Sequence, residues 1–189
     1  MNVIKTAPVD EPITLNDVRA ILGINQVSDT ARDNVISLRI IAARRWAEQY
    51  MRRAVMPQTW LTYLDCFEDS INLLAGLRTV TSVSYYDAAD VLQVLASTTY
   101  VVDTVKSRIV LASNKSWPEI YPKPNAIIIE YVTGYASDDD VPQDIKEALK
   151  FLVSHWENYQ SAIEGSRLST VPYAVEQLLN PYRDMREHF

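Results

Sequence analysis

Few residues in this sequence have the types and spacing that chemistry requires. The densest run of acids is Asp138-Asp139-Asp140, whose carboxylates could bind a hard divalent cation. The run lacks the alternating ligand spacing and the turn glycine of calcium-binding loops. Acids ahead of a helix are also explained by capping and by the positive end of the helix dipole. We therefore predict no metal site there.

Catalytic arrangements are equally sparse. The nearest approach to the carboxylate pair of acid–base catalysis is the group Asp65, Glu68 and Asp69. Closeness in sequence does not supply the required geometry, so we predict that these are solvated turn residues. The two histidines, His155 and His188, leave little material for a histidine metal site or a catalytic triad. With four glycines, the chain has no phosphate-binding loop such as GxGxxG. The sequence predicts no catalytic residue and no cofactor.

Two helices are expected before Pro57. The Thr14 hydroxyl can cap a helix over Leu15–Leu22, with Asp17 returning the contact three residues later. A second start at residues 28–29 leads into about six turns of helix. Apolar residues at three- and four-residue spacing predict its buried face, namely Val35, Leu38, Ile41, Ala42, Trp46 and Tyr50.

The pattern changes at residue 58, because alternation and β-branched or aromatic residues dominate from there to residue 133. The expected strands cover residues 59–65, 71–74, 80–86, 99–103, 108–111 and 126–133. The simplest interpretation is an antiparallel β-sheet inserted into a helical protein.

Helical spacing returns after Pro142, which suits the first turn of a helix. The apolar stripe of this helix contains Ile145, Leu149, Leu152, Val153, Trp156 and Tyr159. Residues 165–167 break the pattern, and a short final helix is expected from Thr170 through Leu179, with Pro181 ending it.

The predicted fold class is therefore α+β: a helical bundle with an inserted antiparallel β-sheet. Residues 1–57 and 141–183 would form the helical core and residues 58–140 the β-rich insertion. Residues 184–189 would form a C-terminal tail.

Charge is distributed unevenly along the chain. The net charge of −6 argues against general nucleic-acid binding, which depends on clustered Lys and Arg. Residues 29–53 nevertheless contain six arginines and three acids, whereas residues 59–140 contain eleven acids and five basic residues. The basic helix presents Arg44, Arg45, Arg52 and Arg53, for which a solvated face, a protein interface and a nucleic-acid groove all stay open.

Aromatic residues offer a second candidate surface. Trp117 and Tyr121 lie in a proline-punctuated loop, where a partner surface and simple packing over the sheet are both consistent with the sequence. Residues 1–8 lack the apolar core of a signal peptide, and no apolar run is long enough to span a bilayer. We therefore expect no membrane association, and a protein that is cytosolic or part of a particle assembled in the cytosol.

The order of these parts resembles a known family, the head-tail connector proteins of tailed phages and prophages, also called adaptor or head-completion proteins. The resemblance covers residues 13–183 and rests on short motifs: the Leu15–Leu22 helix, Ala43, Trp46, Glu48-Gln49-Tyr50, Gln58-Thr59-Trp60, the strand pair at residues 80–87 and 100–103, Trp117-Pro118, and residues 129–135, 141–146 and 171–183.

This resemblance implies a structural virion protein that forms a ring of about a dozen subunits beneath the portal protein. The ring would extend the DNA channel, let DNA pass without specific binding, and offer a platform for the next tail or stopper protein. It would be located in the neck of the virion, after assembly in the cytoplasm of a host bacterium. There are two alternatives. One is another neck protein such as a tail terminator, and the more remote one is a small hydrolase that uses Asp65, Glu68 and Asp69.

Site residues can be suggested on the same basis. Charged contacts between neighbouring subunits are assigned to Arg44, Arg45, Arg52 and Arg53, and further subunit contacts to Trp117 and Tyr121. Docking on the portal is assigned to the C-terminal residues Leu178, Leu179, Tyr182 and Arg183.

Overall fold

A computed structural model of the chain describes residues 1–24, 30–158 and 172–186. Within them lie four α-helices and eight β-strands, which confirms the α+β class. In chain order the elements are β1 (Asn2–Thr6), α1 (Leu15–Leu22), α2 (Thr30–Met51), β2 (Gln58–Leu64), β3 (Ser70–Asn72), β4 (Leu77–Tyr86), β5 (Leu92–Val94), β6 (Tyr100–Asp103), β7 (Arg108–Leu111), β8 (Ile127–Thr133), α3 (Gln143–Asn158) and α4 (Tyr173–Leu179).

The chain divides into two compact units. Of the described residues, the sheet unit contains 1–9 and 57–135 together with Arg186, and the helical unit contains 10–24, 30–56, 136–158 and 172–185. The expected segmentation differs from this at both ends. Residues 1–9, expected in the helical core, form part of the sheet unit, and Arg186, expected in a tail, donates hydrogen bonds to the backbone carbonyls of Lys106 and Leu73.

The predicted sheet is in fact two antiparallel sheets that share one core. Five strands are ordered β1-β2-β8-β4-β5, and three are ordered β3-β7-β6. Strand β8 lies at the centre, and its alternate residues Ile127, Ile129 and Tyr131 are fully buried. Buried side chains from both sheets complete this core: Ile71, Leu73, Leu77, Val83, Leu95 and Ile109.

Strands β1 and β5, at the two edges of the larger sheet, were not predicted. β1 pairs antiparallel with β2, with Val3 opposite Leu61, so its partner is remote in sequence. β5 follows a tight turn in which the Asp87 carboxylate accepts hydrogen bonds from the backbone N–H groups of Ala89 and Val91, both at 3.0 Å. β5, with three residues, is too short to show a reliable alternation by itself.

The helical unit begins with the capping box that the sequence predicts. The Thr14 hydroxyl accepts from the Asp17 N–H at 3.2 Å, and the Asp17 carboxylate accepts from the Thr14 N–H at 2.7 Å. Gly23 ends the helix at φ 65°, in the left-handed region that glycine enters without steric cost.

This cap predicts a pH-dependent contribution to stability. The hydrogen bond from the Thr14 backbone lowers the pKa of Asp17 below its ordinary 3.8. A carboxyl with a lowered folded-state pKa stabilises the fold above its unfolded pKa, and the contribution is lost as pH falls through the folded value. Asp17→Asn should therefore cost about 0.5 kcal/mol at pH 7, the size expected for an exposed anion in the first turn of a helix, and the difference from the unsubstituted chain should shrink towards pH 3.

Urea unfolding at pH 7 and at pH 3 measures this effect. Asp10→Asn is the matched control, because Asp10 is exposed and lies outside the cap. Equal midpoints for the two variants at pH 7 would contradict the assigned role of Asp17.

The buried face of α2 differs from the predicted one. The buried residues are Ile36, Ile40, Ala43, Arg44, Ala47 and Met51, whereas Leu38 is 66 % exposed and Val35 and Ile41 also lie on the surface. Apolar residues occur on two sides of this helix, and packing against α1 and α3 selects the side that the spacing did not favour. Trp46 and Tyr50 are half-buried and stack with ring centroids 5.4 Å apart.

The remaining helices pack as expected where they are described. α3 buries Ile145, Ala148, Leu149, Leu152 and Val153, four of which belong to the predicted stripe. α4 buries Val175 and Leu179 and passes into a 3-10 turn at Asn180–Tyr182. The expected helix start at 28–29, the break at 165–167, Thr170, Tyr159 and His188 lie outside the described residues.

Candidate interaction surfaces

Arg44 occupies an internal ion-pair cluster in the helical unit. It is 4 % exposed, and its Nε donates to Glu11 Oε2 at 2.7 Å while its Nη1 donates to Glu48 Oε2 at 2.8 Å. The second oxygen of Glu48 accepts from the Val55 backbone N–H at 2.9 Å. Glu48 thereby ties the end of α2 to the segment that follows it.

The charge of Arg44 is neutralised within the chain. Burial by itself would lower the pKa of Arg44, but the hydrogen bond that Arg44 donates to Glu11 and the charges of Glu48 and Glu11 outweigh burial and raise it. The guanidinium stays charged with both partners in place. Because Glu11 and Glu48 bind its guanidinium within the chain, Arg44 is not proposed as a subunit contact.

The other candidate arginines, in α2 or directly after it, differ in exposure. Arg45 and Arg52 are exposed, and Arg53 is half-buried. Arg52 has φ 55°, a left-handed backbone at the end of the helix that usually carries glycine or asparagine. Arg39 forms an ion pair with Glu157. The cationic surface available to a partner is therefore narrower than the sequence suggested and centres on Arg45 and Arg52.

The aromatic loop residues have different environments. Trp117 stacks on Phe67 with ring centroids 4.5 Å apart, and its Nε1 donates to the Glu68 carbonyl at 3.1 Å. Trp117 therefore packs over the sheet, one of the two alternatives left open by the sequence. Tyr121 is exposed, and Lys123 lies over the ring of Tyr86.

The segment assigned to portal docking contributes to its own unit's core. Leu179 is fully buried and Leu178 is half-buried. Tyr182 donates to Asp144 Oδ2 at 3.0 Å, and the Arg183 guanidinium lies 5.4 Å from the centre of the Tyr50 ring. Leu179 cannot reach a partner while the unit is folded, whereas Leu178, Tyr182 and Arg183 are partly accessible.

The acidic clusters are exposed turn residues. Asp65 accepts from the Asn125 backbone N–H at 2.7 Å, and Asp140 accepts from the Ser137 hydroxyl at 2.8 Å. Over residues 1–24, 30–158 and 172–186, no three His, Cys, Asp or Glu side chains converge in a way that could hold a metal ion. The helices in these same ranges include none with the length and apolar character needed to cross a membrane.

Two exposed apolar features were missed by the sequence reasoning. One is the side of α2 that carries Val35, Leu38 and Ile41. The other is the edge strand β5, whose Leu92 and Val94 are 50 % and 72 % exposed. The run Val91-Leu92-Gln93-Val94 after a tight turn was a signal for such a strand.

Solved structures with this fold come from the necks and virions of gene transfer agent particles. A chain from the neck of an empty particle, computed with sixfold symmetry, matches with a TM-score of 0.79 at 22% identity, covering 100% of this chain and 97% of that chain. A chain of the native virion gives the same values. A chain from the native neck, computed with twelvefold symmetry, matches with a TM-score of 0.67 at 19% identity and the same coverage. No curated protein matches.

These likenesses define the fold class, and the sequence defines the family. The profile of the head completion proteins matches residues 11–185. The chain belongs to the head completion protein family. The prediction of a structural head-tail connector, or head-completion, protein is thereby confirmed.

Proposed function

We propose that this chain forms a ring of identical subunits in the neck of a virus particle, docked on the portal protein and presenting a platform to the next tail or stopper protein. Its membership in the head completion family carries the proposal. The full-length likeness to neck chains, one of them in a twelvefold assembly, supports the ring. The role is non-catalytic, and DNA passes through the ring without specific binding, because the net charge of −6 repels phosphates.

A ring needs two different surfaces that meet head to tail. Arg45 and Arg52 provide exposed cations, and the exposed acids Asp138, Asp139 and Asp140 provide a surface of opposite sign. Charge complementarity of this kind sets orientation and association rate more than affinity. Docking on the portal is assigned to Leu178, Tyr182 and Arg183, with Leu179 holding the segment in place from the core.

Complementation of particles tests this function. DNA-filled heads that carry portal but lack this protein should acquire an annular density at the portal vertex, and then tails, when the purified chain is added. Negative-stain imaging and infectivity measure the two steps. Arg45→Glu combined with Arg52→Glu should reduce ring formation about tenfold or more, because each change places like charges at the subunit contact.

A matched control addresses the hydrolase alternative. Alanine at Asp65, Glu68 and Asp69 should leave both ring formation and tail joining intact. Tails that join heads without the protein would overturn the proposed function, and density at the distal end of the tail would indicate a tail terminator instead.

A further inference from the structure

Within residues 1–24, 30–158 and 172–186, no strand pairs with the outer edge of β1 or of β5, and these two edges are unequally protected. Edge strands usually carry charges, proline or a bulge that prevents pairing with another chain. β1 carries Lys5 and a register shift between Ile4 and Thr6, which leave a free stretch at Asn2–Ile4. β5 consists of Leu92-Gln93-Val94 with no charge or proline, and all three residues are exposed. An apolar edge strand without these protective features indicates a strand that another chain covers in the assembled state.

The hydrogen-bond pattern identifies the groups that face outward. The Leu95 N–H donates to the Val83 carbonyl at 2.8 Å, and the Asp87 N–H donates to the Val91 carbonyl at 3.0 Å. Because hydrogen-bonded pairs alternate in an antiparallel ladder, Leu92 and Val94 direct their N–H and C=O groups away from β4.

The same alternation applies to β1. The Tyr63 N–H donates to the Met1 carbonyl at 2.9 Å, so Met1 and Val3 bond towards β2, and Asn2 and Ile4 direct their backbone groups outward. Each edge thus presents two residues, spaced two apart, with free backbone donors and acceptors.

We propose that β5 of one subunit pairs in parallel with β1 of a second copy of this chain, with Leu92 opposite Val3. This inference rests on the proposed ring. Since each neighbouring pair in β1-β2-β8-β4-β5 is antiparallel, β1 and β5 run in the same direction. Ring neighbours related by rotation about an axis along the strands keep that direction, so the junction between their sheets is parallel.

This register is consistent with the alternation of backbone hydrogen bonds and with the alternation of side chains between the two faces of the sheet. In a parallel pair, a residue that bonds across the junction lies opposite one that bonds away from it. Leu92 opposite Val3 meets this condition. The Leu92 N–H would donate to the Asn2 carbonyl, and the Ile4 N–H to the Leu92 carbonyl.

Side-chain faces agree with this register. Val94 pairs with Ser84, and Ser84 pairs with Ile128. The side chains of these three residues therefore lie on one face of the sheet, and the buried Ile129 lies on the other face. Val3 lies opposite Leu61, which pairs with Glu130 on that same outer face. Leu92 and Val3 are therefore side by side on one continuous surface, and the junction covers part of the apolar area of Leu92 and Val94.

A charge placed on the β5 edge tests the junction. Val94→Lys should lower ring formation on portal-bearing heads at least tenfold and leave thermal unfolding of the free chain unchanged. Val105→Lys is the matched control, because Val105 is 92 % exposed in a turn outside both edges, and it should assemble like the unsubstituted chain. Normal rings from Val94→Lys would overturn the edge pairing while leaving the proposed ring in place.

Cysteine crosslinking tests the register itself. In a Cys66→Ser background, Val3→Cys combined with Leu92→Cys should give a ladder of covalent oligomers from assembled rings on a non-reducing gel, and neither single-cysteine variant should crosslink. A dimer from Leu92→Cys alone would show antiparallel β5–β5 pairing and overturn the proposal. Rings without a ladder would overturn the register, and the absence of any ring from the Cys66→Ser chain would overturn the proposed function with it.

Discussion

Leu152→Ala should lower the free energy of unfolding by about 2–5 kcal/mol, the range for truncating a buried leucine. Leu152 is fully buried and belongs to the set of α3 residues that pack in the core of the helical unit. Removing its isobutyl group loses the transfer free energy of the buried carbons and leaves a cavity that neighbouring helices fill only in part. Helix propensity does not offset the loss at this position, because alanine and leucine both favour helix.

Phe151 provides the matched control one residue earlier. It lies on the same helix but is 47 % exposed, so Phe151→Ala should cost less than about 1 kcal/mol. Urea denaturation followed by circular dichroism measures both variants. If the two changes cost the same, the inward face assigned to α3 is wrong.

Glu48→Ala should cost about 3 kcal/mol, the low end for breaking a buried ion pair. The substitution removes one of two carboxylates on the buried Arg44 and the acceptor for the Val55 N–H. Glu11 remains on the guanidinium, which limits the loss. Glu147→Ala is the control, since Glu147 forms its ion pair with Lys150 near the surface, and such pairs contribute less than about 1 kcal/mol.

A double substitution separates the buried charge from the lost packing. Arg44→Met removes the charge but keeps most of the aliphatic length, so the Glu48→Ala, Arg44→Met chain should be destabilised by less than the sum of the two single changes. Additive losses in urea denaturation would mean that the two side chains are not coupled, contrary to their 2.8 Å contact.

Local signals made some elements predictable. α1 was predicted at its observed bounds because its cap, its apolar spacing and Gly23 all lie within ten residues. β7 was predicted at its observed bounds and β8 to within a residue, since their β-branched runs are bounded by turn residues. The bounds of these elements are marked by residues close in sequence, even where their pairing partners are remote.

Long-range features were not predictable in the same way. β1 exists because β2 offers an open edge about 60 residues later, and nothing near Val3 indicates that partner. The buried face of α2 depends on which of two apolar sides α1 and α3 cover. The sequence placed Arg44 on a cationic surface. Its neutralising partner Glu11 lies 33 residues earlier, so local spacing could not reveal the ion pair. Each case required a contact that one-dimensional spacing does not contain.

The order of segments along the chain fixes the order in which its halves can fold during synthesis. All eight strands precede residue 134, whereas α3 and α4 follow residue 142. At ~5–20 residues per second, the ribosome reaches Leu179 about 2–9 s after Thr133. Before α3 is complete at Asn158, the apolar faces of α1 and α2, including Val18 and Ile36, have no α3 to cover them. At that stage the nascent chain contains all of its described strands, but its first two helices still lack the partner that covers their apolar faces.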